Sequence, residues 1–282
     1  EEIFESYWNL VMLEQYMKGN DNRTCICCLQ AADQTFKLEL KEIDLQNLII
    51  DIGNTAVKAA WSEGATIGKT FRYQGEKVRN FILSLVEKEH PNVMVVSSVY
   101  EIPSADEALY RKCCTRLVIL DQVHKELLEK NGLPGWITYD RAASIIAVRH
   151  LFQGKASTIV DFGTILKIDF IDKEGKFEGG NISFGLRTRF KAINRYSRAL
   201  PLIDTPDDSP LIGDSLETSI TAGIISGIMF EIEGYVSSHP ENIIVFTGGD
   251  ANYFAKRMKN SIFVVCNLVL IGLALIADVY AD

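Results

Sequence analysis

The sequence has no uncharged, wholly apolar run of 18 residues, the length a membrane-spanning helix needs, so no membrane partner is expected. It has no block of basic residues either. Lys and Arg number 29 against 37 Asp and Glu, a net charge of −8, and a nucleic-acid partner is not expected because duplex binders carry a concentrated Lys/Arg footprint. The opening Glu-Glu-Ile-Phe-Glu has no basic segment leading into an apolar one, so no secretory signal is expected and a cytoplasmic location is. Histidine is scarce and scattered, at His90, His124, His150 and His239. No second C-x-x-C or His pair follows the Cys25-x-Cys27-Cys28 cluster at zinc-ligand spacing. The neighbouring pairs Cys27–Cys28 and Cys113–Cys114 bridge only with strain, and all six cysteines are expected as reduced thiols.

What is present is an ordinary globular mixture, 47% apolar and 23% charged, over 282 residues, enough for two lobes or one large α/β unit. Charge is uneven: residues 1–46 hold nine acidic and four basic side chains, so most of the acidity sits there. This segment has helical spacing over 3–17 and strand-like alternation over 35–45, and reads as an N-terminal extension of unknown role. Its strand pattern and Lys41-Glu42-Ile43 faintly resemble the C-terminal domain of biotin–protein ligases; an unrelated extension or an upstream gene start fits as well.

From Leu48 the texture changes. Leu48-Ile49-Ile50 predicts a buried strand, broken by Asp51-Ile52-Gly53-Asn54-Thr55 and resumed as a returning strand at Val57, Ala59 and Ala60. A helix is expected over 75–89, strands at 93–96 and 117–120, and helices over 121–130 and 140–152. Then the opening recurs: Thr158-Ile159-Val160 leads into Asp161-Phe162-Gly163-Thr164, with Leu166, Ile168 and Phe170 alternating beyond it. The two copies lie about 110 residues apart. A helix over 217–235, a strand at 243–246 and Thr247-Gly248-Gly249-Asp250 complete a layout of two similar α/β lobes, 47–153 and 154–282, with a cleft between them.

A glycine two residues after a strand-terminal Asp permits a tight turn with positive φ, and turn amides with Asn and Thr side chains can surround phosphate oxygens. The Asp itself repels phosphate and suits Mg²⁺ held through water. Lys58 on the returning strand can neutralise phosphate charge. Gly248-Gly249 allows close approach of a flat ligand such as adenine. Together the three motifs look like the phosphate-1, phosphate-2 and adenosine motifs of the acetate/sugar kinase, heat-shock protein and actin superfamily, which implies α/β lobes of the actin-like ATPase (ribonuclease H-like) type.

The segments Leu48–Lys58, Val95–Val99, Pro134–Arg141, Val160–Asp169, Gly179–Leu186, Ile212–Gly223 and Phe246–Asp250 resemble, in order and spacing, the type III pantothenate kinases of bacteria. That resemblance implies transfer of phosphate from ATP to pantothenate with Mg²⁺ and a monovalent cation, K⁺ or NH₄⁺, in a homodimer with a shared active site. It implies Asp140 as catalytic base and Arg141 as partner of the pantothenate carboxylate. Asn131, Thr138, Tyr139 and Leu216 fall at substrate-lining positions. The ATP loop would comprise Asp51, Ile52, Gly53, Asn54, Thr55, Ala56, Val57 and Lys58, with Thr164, Gly248 and Gly249 as further nucleotide contacts. Asp161 matches the monovalent-cation ligand, and Asp51 would position Mg²⁺.

The sequence departs from the family where substrate and cation bind. The usual G-x-D-R reads Thr138-Tyr139-Asp140-Arg141, a substrate-lining Tyr is Asn131, Leu166 and Lys167 replace threonines, Phe184 replaces a Pro, and Leu216 stands where the partner subunit supplies a Thr. A divergent pantothenate kinase is expected; the alternatives are a non-catalytic nucleotide-binding regulator and a kinase of another small alcohol. Lys167, if it faces the cleft, could stand near the monovalent-cation position and reduce the K⁺ requirement; the other reading is a solvated strand lysine.

Overall fold

The computed structural model describes residues 23–25 and 46–281; the patterns over 3–17 and 35–45 fall outside the described residues. Arg23–Cys25 forms a short strand, β1. The apolar run at Leu48 lies in β2 (Asn47–Ile52), where Leu48, Ile49 and Ile50 are fully buried. The chain returns antiparallel as β3 (Val57–Glu63) and again as β4 (Thr66–Tyr73). Helix α1 (Val78–Leu85) leads to β5 (Val93–Ser98), parallel to β2, and α2 (Ser104–Tyr110) to β6 (Arg116–Leu120). Two helices follow, α3 (Glu126–Lys130) and α4 (Tyr139–Leu151). The second passage begins with β7 (Ser157–Phe162), β8 (Ile165–Ile171) and β9 (Phe177–Phe184). It continues through α5 (Leu186–Tyr196), α6 (Leu216–Ser238), β10 (Ile243–Gly248), α7 (Ala251–Ala255), β11 (Ile262–Val264) and α8 (Leu268–Val279).

The repeat seen in the sequence is a repeat of topology. One sheet runs β4-β3-β2-β5-β6 and the other β9-β8-β7-β10-β11, strand for strand the same order. Beyond β11 the second sheet gains β1 in parallel, so three residues of the N-terminal extension join it. In each sheet the strand that ends in the motif Asp is central and makes a hairpin with the next. Lys58 faces Asp51 across the first hairpin, and Lys167 faces Asp161 across the second.

The expected helix over 121–130 begins only at Glu126. The Asp121 carboxylate accepts the N–H groups of Val123 and His124, which holds 121–124 as a turn. The helix over 75–89 shortens to α1. The third strands, β4 and β9, stand half exposed at sheet edges.

Three apolar clusters build the layers. The outer face of the first sheet packs with α1 and α2 through Leu48, Ile50, Ile82 and Tyr110. The outer face of the second sheet packs with α5, α6 and α7 through Phe162, Phe190, Ile228 and Phe254. Between the sheets lies the third cluster, where α4 and α8 meet Ile49, Val93 and Val95 of one lobe and Ile159 and Val245 of the other. The final helix of each lobe therefore forms the seam that both lobes share. No helix among the described residues is long and apolar enough to cross a membrane.

At the seam the backbones of α4 and α8 touch: a Cβ on Gly272 would lie 1.9 Å from the Ala143 carbonyl oxygen. Backbone cannot step aside as a flexible side chain can, so Gly272→Ala should destabilise the chain by about 3 kcal/mol or more. A urea titration followed by circular dichroism measures this; an unchanged midpoint would mean the helices part without cost.

Candidate active site

The two Asp-x-Gly hairpins meet across the cleft. Thr55 Oγ1 and Thr164 Oγ1 are 2.7 Å apart in a hydrogen bond spanning 109 residues of sequence. In the first hairpin the Gly53 N–H donates to the Ala56 carbonyl, and Asn54 Oδ1 accepts from the Tyr100 hydroxyl at 2.8 Å. Thr55 and Asn54 are exposed at the turn, whereas the Val57 side chain faces the core. Neither Gly53 nor Gly163 has positive φ, contrary to expectation. The demand for space falls on Gly185 instead, where a Cβ would lie 2.0 Å from the Gly163 carbonyl oxygen. Positive φ occurs at Gly248 (+91°), where a Cβ would press on the Phe162 carbonyl and on Asp161 Oδ1. Gly248 thus backs onto the second hairpin, whereas a Cβ on Gly249 would meet open space.

Below the hairpins three carboxylates and two lysines share one field. Lys167 Nζ on β8 pairs with Asp161 Oδ2 at 3.0 Å and with Asp140 Oδ2. Asp140 is buried at the first turn of α4, and its Oδ1 accepts from Thr138 Oγ1 and from the Arg141 N–H. Burial alone would raise its pKa, but the Lys167 charge and these hydrogen bonds outweigh it and hold the carboxyl below its usual value. The same two carboxylates overcome the burial of Lys167 and keep its ammonium charged.

Asp51 is in the opposite condition. Burial pushes its pKa up to about 7, and repulsion from Asp140 and Asp161 adds to it against the opposing charges of Lys58 and Lys167. Its Oδ1 is buried without a hydrogen-bond partner. An orphaned oxygen on a carboxylate held partly protonated fits a hard divalent cation. Among the described residues no group of three metal-binding side chains exists, so Asp51 would hold such an ion with help from water and phosphate oxygens.

Several expected substrate residues lie elsewhere. Tyr139 is a core residue of the seam with its hydroxyl donated to the His124 carbonyl, and the small cavity it borders with His124 and Tyr280 includes none of Asp51, Asp140 or Asp161. Its position follows from α4, which is buried on every side over its first two turns. Asn131 caps α3 by donating to the Leu127 carbonyl. It lines a cavity of about 540 Å³ with Arg149, Gly175 and Lys176 that includes none of Asp51, Asp140 or Asp161. Arg141 is 3% exposed and grips Asp169 with Nε and Nη2, the latter at 2.5 Å. A ligand carboxylate at this guanidinium must share it with Asp169. Leu216 is exposed in the first turn of α6, behind the Ser215 capping box. Thr138 does reach the site, through Asp140.

Four further residues contribute. Asp169 lies two residues beyond Lys167 on one strand, so the period of two places both side chains on one face; that signal was present. Gly180 lets β9 close over the Arg141–Asp169 pair, since a Cβ there would fall 2.3 Å from Asp169 Oδ1. Tyr100 carries no sequence signal. Trp136, 62% exposed, stands over the Arg141 guanidinium at 5.3 Å.

The sequence model of type III pantothenate kinase matches residues 47–238. A type III pantothenate kinase of Flavobacterium johnsoniae is 32% identical over 236 residues, covering 80% of this chain and 95% of that one. Two solved structures share the fold. One, a Campylobacter jejuni protein assigned to a Baf family of transcriptional activators, has a TM-score of 0.55 at 19% identity, covering 80% and 94% of the chains. The other, the ROK hexokinase of Thermus thermophilus, has a TM-score of 0.50 at 12% identity, covering 83% and 99%. At such identities these two likenesses speak for the two-lobed, actin-like α/β fold alone.

A carboxyl whose pKa is higher folded than unfolded keeps its proton in the native state between the two values. The native state then binds more protons than the unfolded one, and stability falls as pH rises from 3.8 toward about 7. Asp51→Asn removes this liability. Its unfolding temperature should exceed that of the unaltered chain by a margin that widens from pH 5 to pH 7 and then levels. A margin constant with pH would show that Asp51 ionises freely.

Proposed function

The chain belongs to the type III pantothenate kinase family, and we propose from that premise how its residues carry out the reaction. The enzyme phosphorylates pantothenate to 4′-phosphopantothenate at the expense of ATP, the opening step of coenzyme A synthesis. The observation that carries the proposal is the convergence of Asp51, Asp140 and Asp161 on one charged cluster beneath two hydrogen-bonded hairpins.

The hairpins at Gly53–Lys58 and Gly163–Thr164 take the phosphates through turn amides and the Thr55 and Thr164 hydroxyls, and Gly248-Gly249 admits the adenosine. When bound at Asp51, Mg²⁺ supplies charge neutralisation on the phosphates. Asp140 orients the primary hydroxyl of pantothenate and accepts its proton. Its low pKa makes it a weak base, which suffices because phosphoryl transfer rests on positioning and charge stabilisation more than on early proton removal. Arg141 keeps Nη1 for the pantothenate carboxylate, beneath the Trp136 ring. Asp169 fixes the guanidinium plane so that one edge remains for the ligand.

A homodimer is supported by apolar side chains left in water around one spot of the second lobe. Arg189 on α5 links Ser183 of β9 to Glu231 of α6. Beside these lie Phe184 and Phe230, each more than half exposed. Leu216 belongs to the same helix as Phe230 and would meet the partner's site as an apolar contact where a Thr is usual. Cys113 and Cys114 are free thiols, in keeping with a cytoplasmic enzyme.

A coupled ADP-release assay with pantothenate tests the reaction. Asp140→Asn should lower kcat by about 10²- to 10⁴-fold, the usual reach of a positioned base. No pantothenate-dependent ADP, with activity on another alcohol in a panel, would instead favour a different substrate on this fold. Phe230→Asp should convert the dimer to a monomer in size-exclusion chromatography with light scattering; a monomeric unaltered chain would overturn the dimer.

A further inference from the structure

Lys167 is the repeat counterpart of Lys58. Each faces the motif Asp across its hairpin, Lys58 opposite Asp51 and Lys167 opposite Asp161. The second hairpin is one residue shorter, since Ile52 pairs with Val57 but Phe162 with Leu166. The outcome differs between the lobes. Asp51 keeps an orphaned oxygen, whereas Asp161 is engaged by its lysine, and the same ammonium also reaches Asp140 on α4. The Lys167 side chain is 16% exposed and the two carboxylates 11% and 19%, so the ion pair is largely withdrawn from water.

This arrangement does not fit a free monovalent cation at Asp161. Such an ion would seek the oxygens that Nζ occupies and would stand beside a fixed positive charge in a poorly solvated place. An ammonium on a four-carbon stem has the charge of K⁺ or NH₄⁺ and three N–H donors, two of them spent on the carboxylates.

We propose that Lys167 is a built-in monovalent cation: its ammonium fills the place between Asp140 and Asp161, so that this chain needs no free K⁺ or NH₄⁺, and deleting it creates a site for one. Lys167 acts as a positioning residue, because it holds the carboxylate that meets the substrate hydroxyl. The inference rests on the kinase reading for its effect on rate, and on geometry alone for its effect on cation binding.

The test compares the unaltered chain with Lys167→Ala and with Lys167→Thr, a β-branched residue that suits the strand should alanine fail to fold. Each is measured in tetramethylammonium, K⁺ and NH₄⁺ chlorides at constant ionic strength and pH, by thermal unfolding and by pantothenate-dependent ADP release. The unaltered chain should show the same midpoint and the same rate, within about twofold, in all three salts. The variants should lose roughly 10²-fold in rate in tetramethylammonium, recover about tenfold or more as K⁺ or NH₄⁺ rises, and unfold a few degrees higher in those salts than in tetramethylammonium.

A midpoint or rate of the unaltered chain that climbs saturably with K⁺ or NH₄⁺ overturns the proposal. So do folded variants indifferent to the cation. Should the unaltered chain release no ADP with pantothenate, the kinase reading fails, and the unfolding midpoints still decide the cation question.

Discussion

Three carboxylates brought into one half-buried cleft repel one another, and the rest of the site is arranged around that repulsion. Lys167 answers two of them, Asp140 and Asp161, by direct contact. Lys58 answers the third in part, through the charge it presents to Asp51 from the neighbouring strand. What remains is concentrated on Asp51, where burial and two like charges make the ionised form costly. A divalent cation would relieve this cost most directly, because it would replace a proton at Asp51, whose Oδ1 is buried without a hydrogen-bond partner. On the proposed mechanism metal binding would complete the cluster, while Lys167 keeps Asp140 on α4 ionised beforehand.

The convergence is enforced by backbone. Helices α4 and α8 end the two halves of the repeat and cross at Gly272 against Ala143, so the lobes share one core. Asp140 sits on the first turn of α4, and the hairpin aspartates end the central strands that flank this seam. The same tactic recurs near the chemistry. Gly185 lies on the Gly163 carbonyl, Gly248 on the Asp161 hairpin and Gly180 on the Arg141–Asp169 pair, each at a distance that a Cβ would not allow. Close packing of backbone holds the charged groups in place where flexible side chains would let the like charges drift apart.

The part of this legible in the sequence is the part written locally. The repeated strand, Asp-x-Gly turn and returning strand needed only short-range pattern, and they led to the lobes, to Asp51 and to Asp161. The cleft-facing position of Lys167 was also within reach, because matching the two copies strand for strand sets it opposite Asp161 as Lys58 is set opposite Asp51. Tyr139 shows where pattern fails. Helix α4 is enclosed by two sheets and another helix, so its apolar residues mark no single face, and phase along the helix says nothing of which side chain meets the cleft. Arg141 was read as waiting for a ligand because nothing local shows a buried acid 28 residues later closing on it. Gly53 and Gly163 need no unusual backbone angle, and the close approaches fall instead on Gly185 and Gly248, which lie against the second hairpin from parts of the chain that pattern at the turn does not show.

The charge balance also decides how a triphosphate can enter. Most of the net −8 lies in residues 1–46, and the remaining body is only mildly acidic, so no long-range field draws ATP in. Within the cleft the two lysines are outnumbered by the three carboxylates, and Lys167 is committed to both of its neighbours. Lys58 alone is left to face phosphate, and it is shared with Asp51. A free nucleotide would thus meet a cluster that is still negative when Asp51 is ionised, with turn amides as its main attraction. On the proposed mechanism a divalent cation bound at Asp51 would neutralise that carboxylate and leave Lys58 for the phosphates. The proposed mechanism therefore couples the binding of ATP to the metal through the protein's own charges, before any question of chemistry at the γ-phosphate arises.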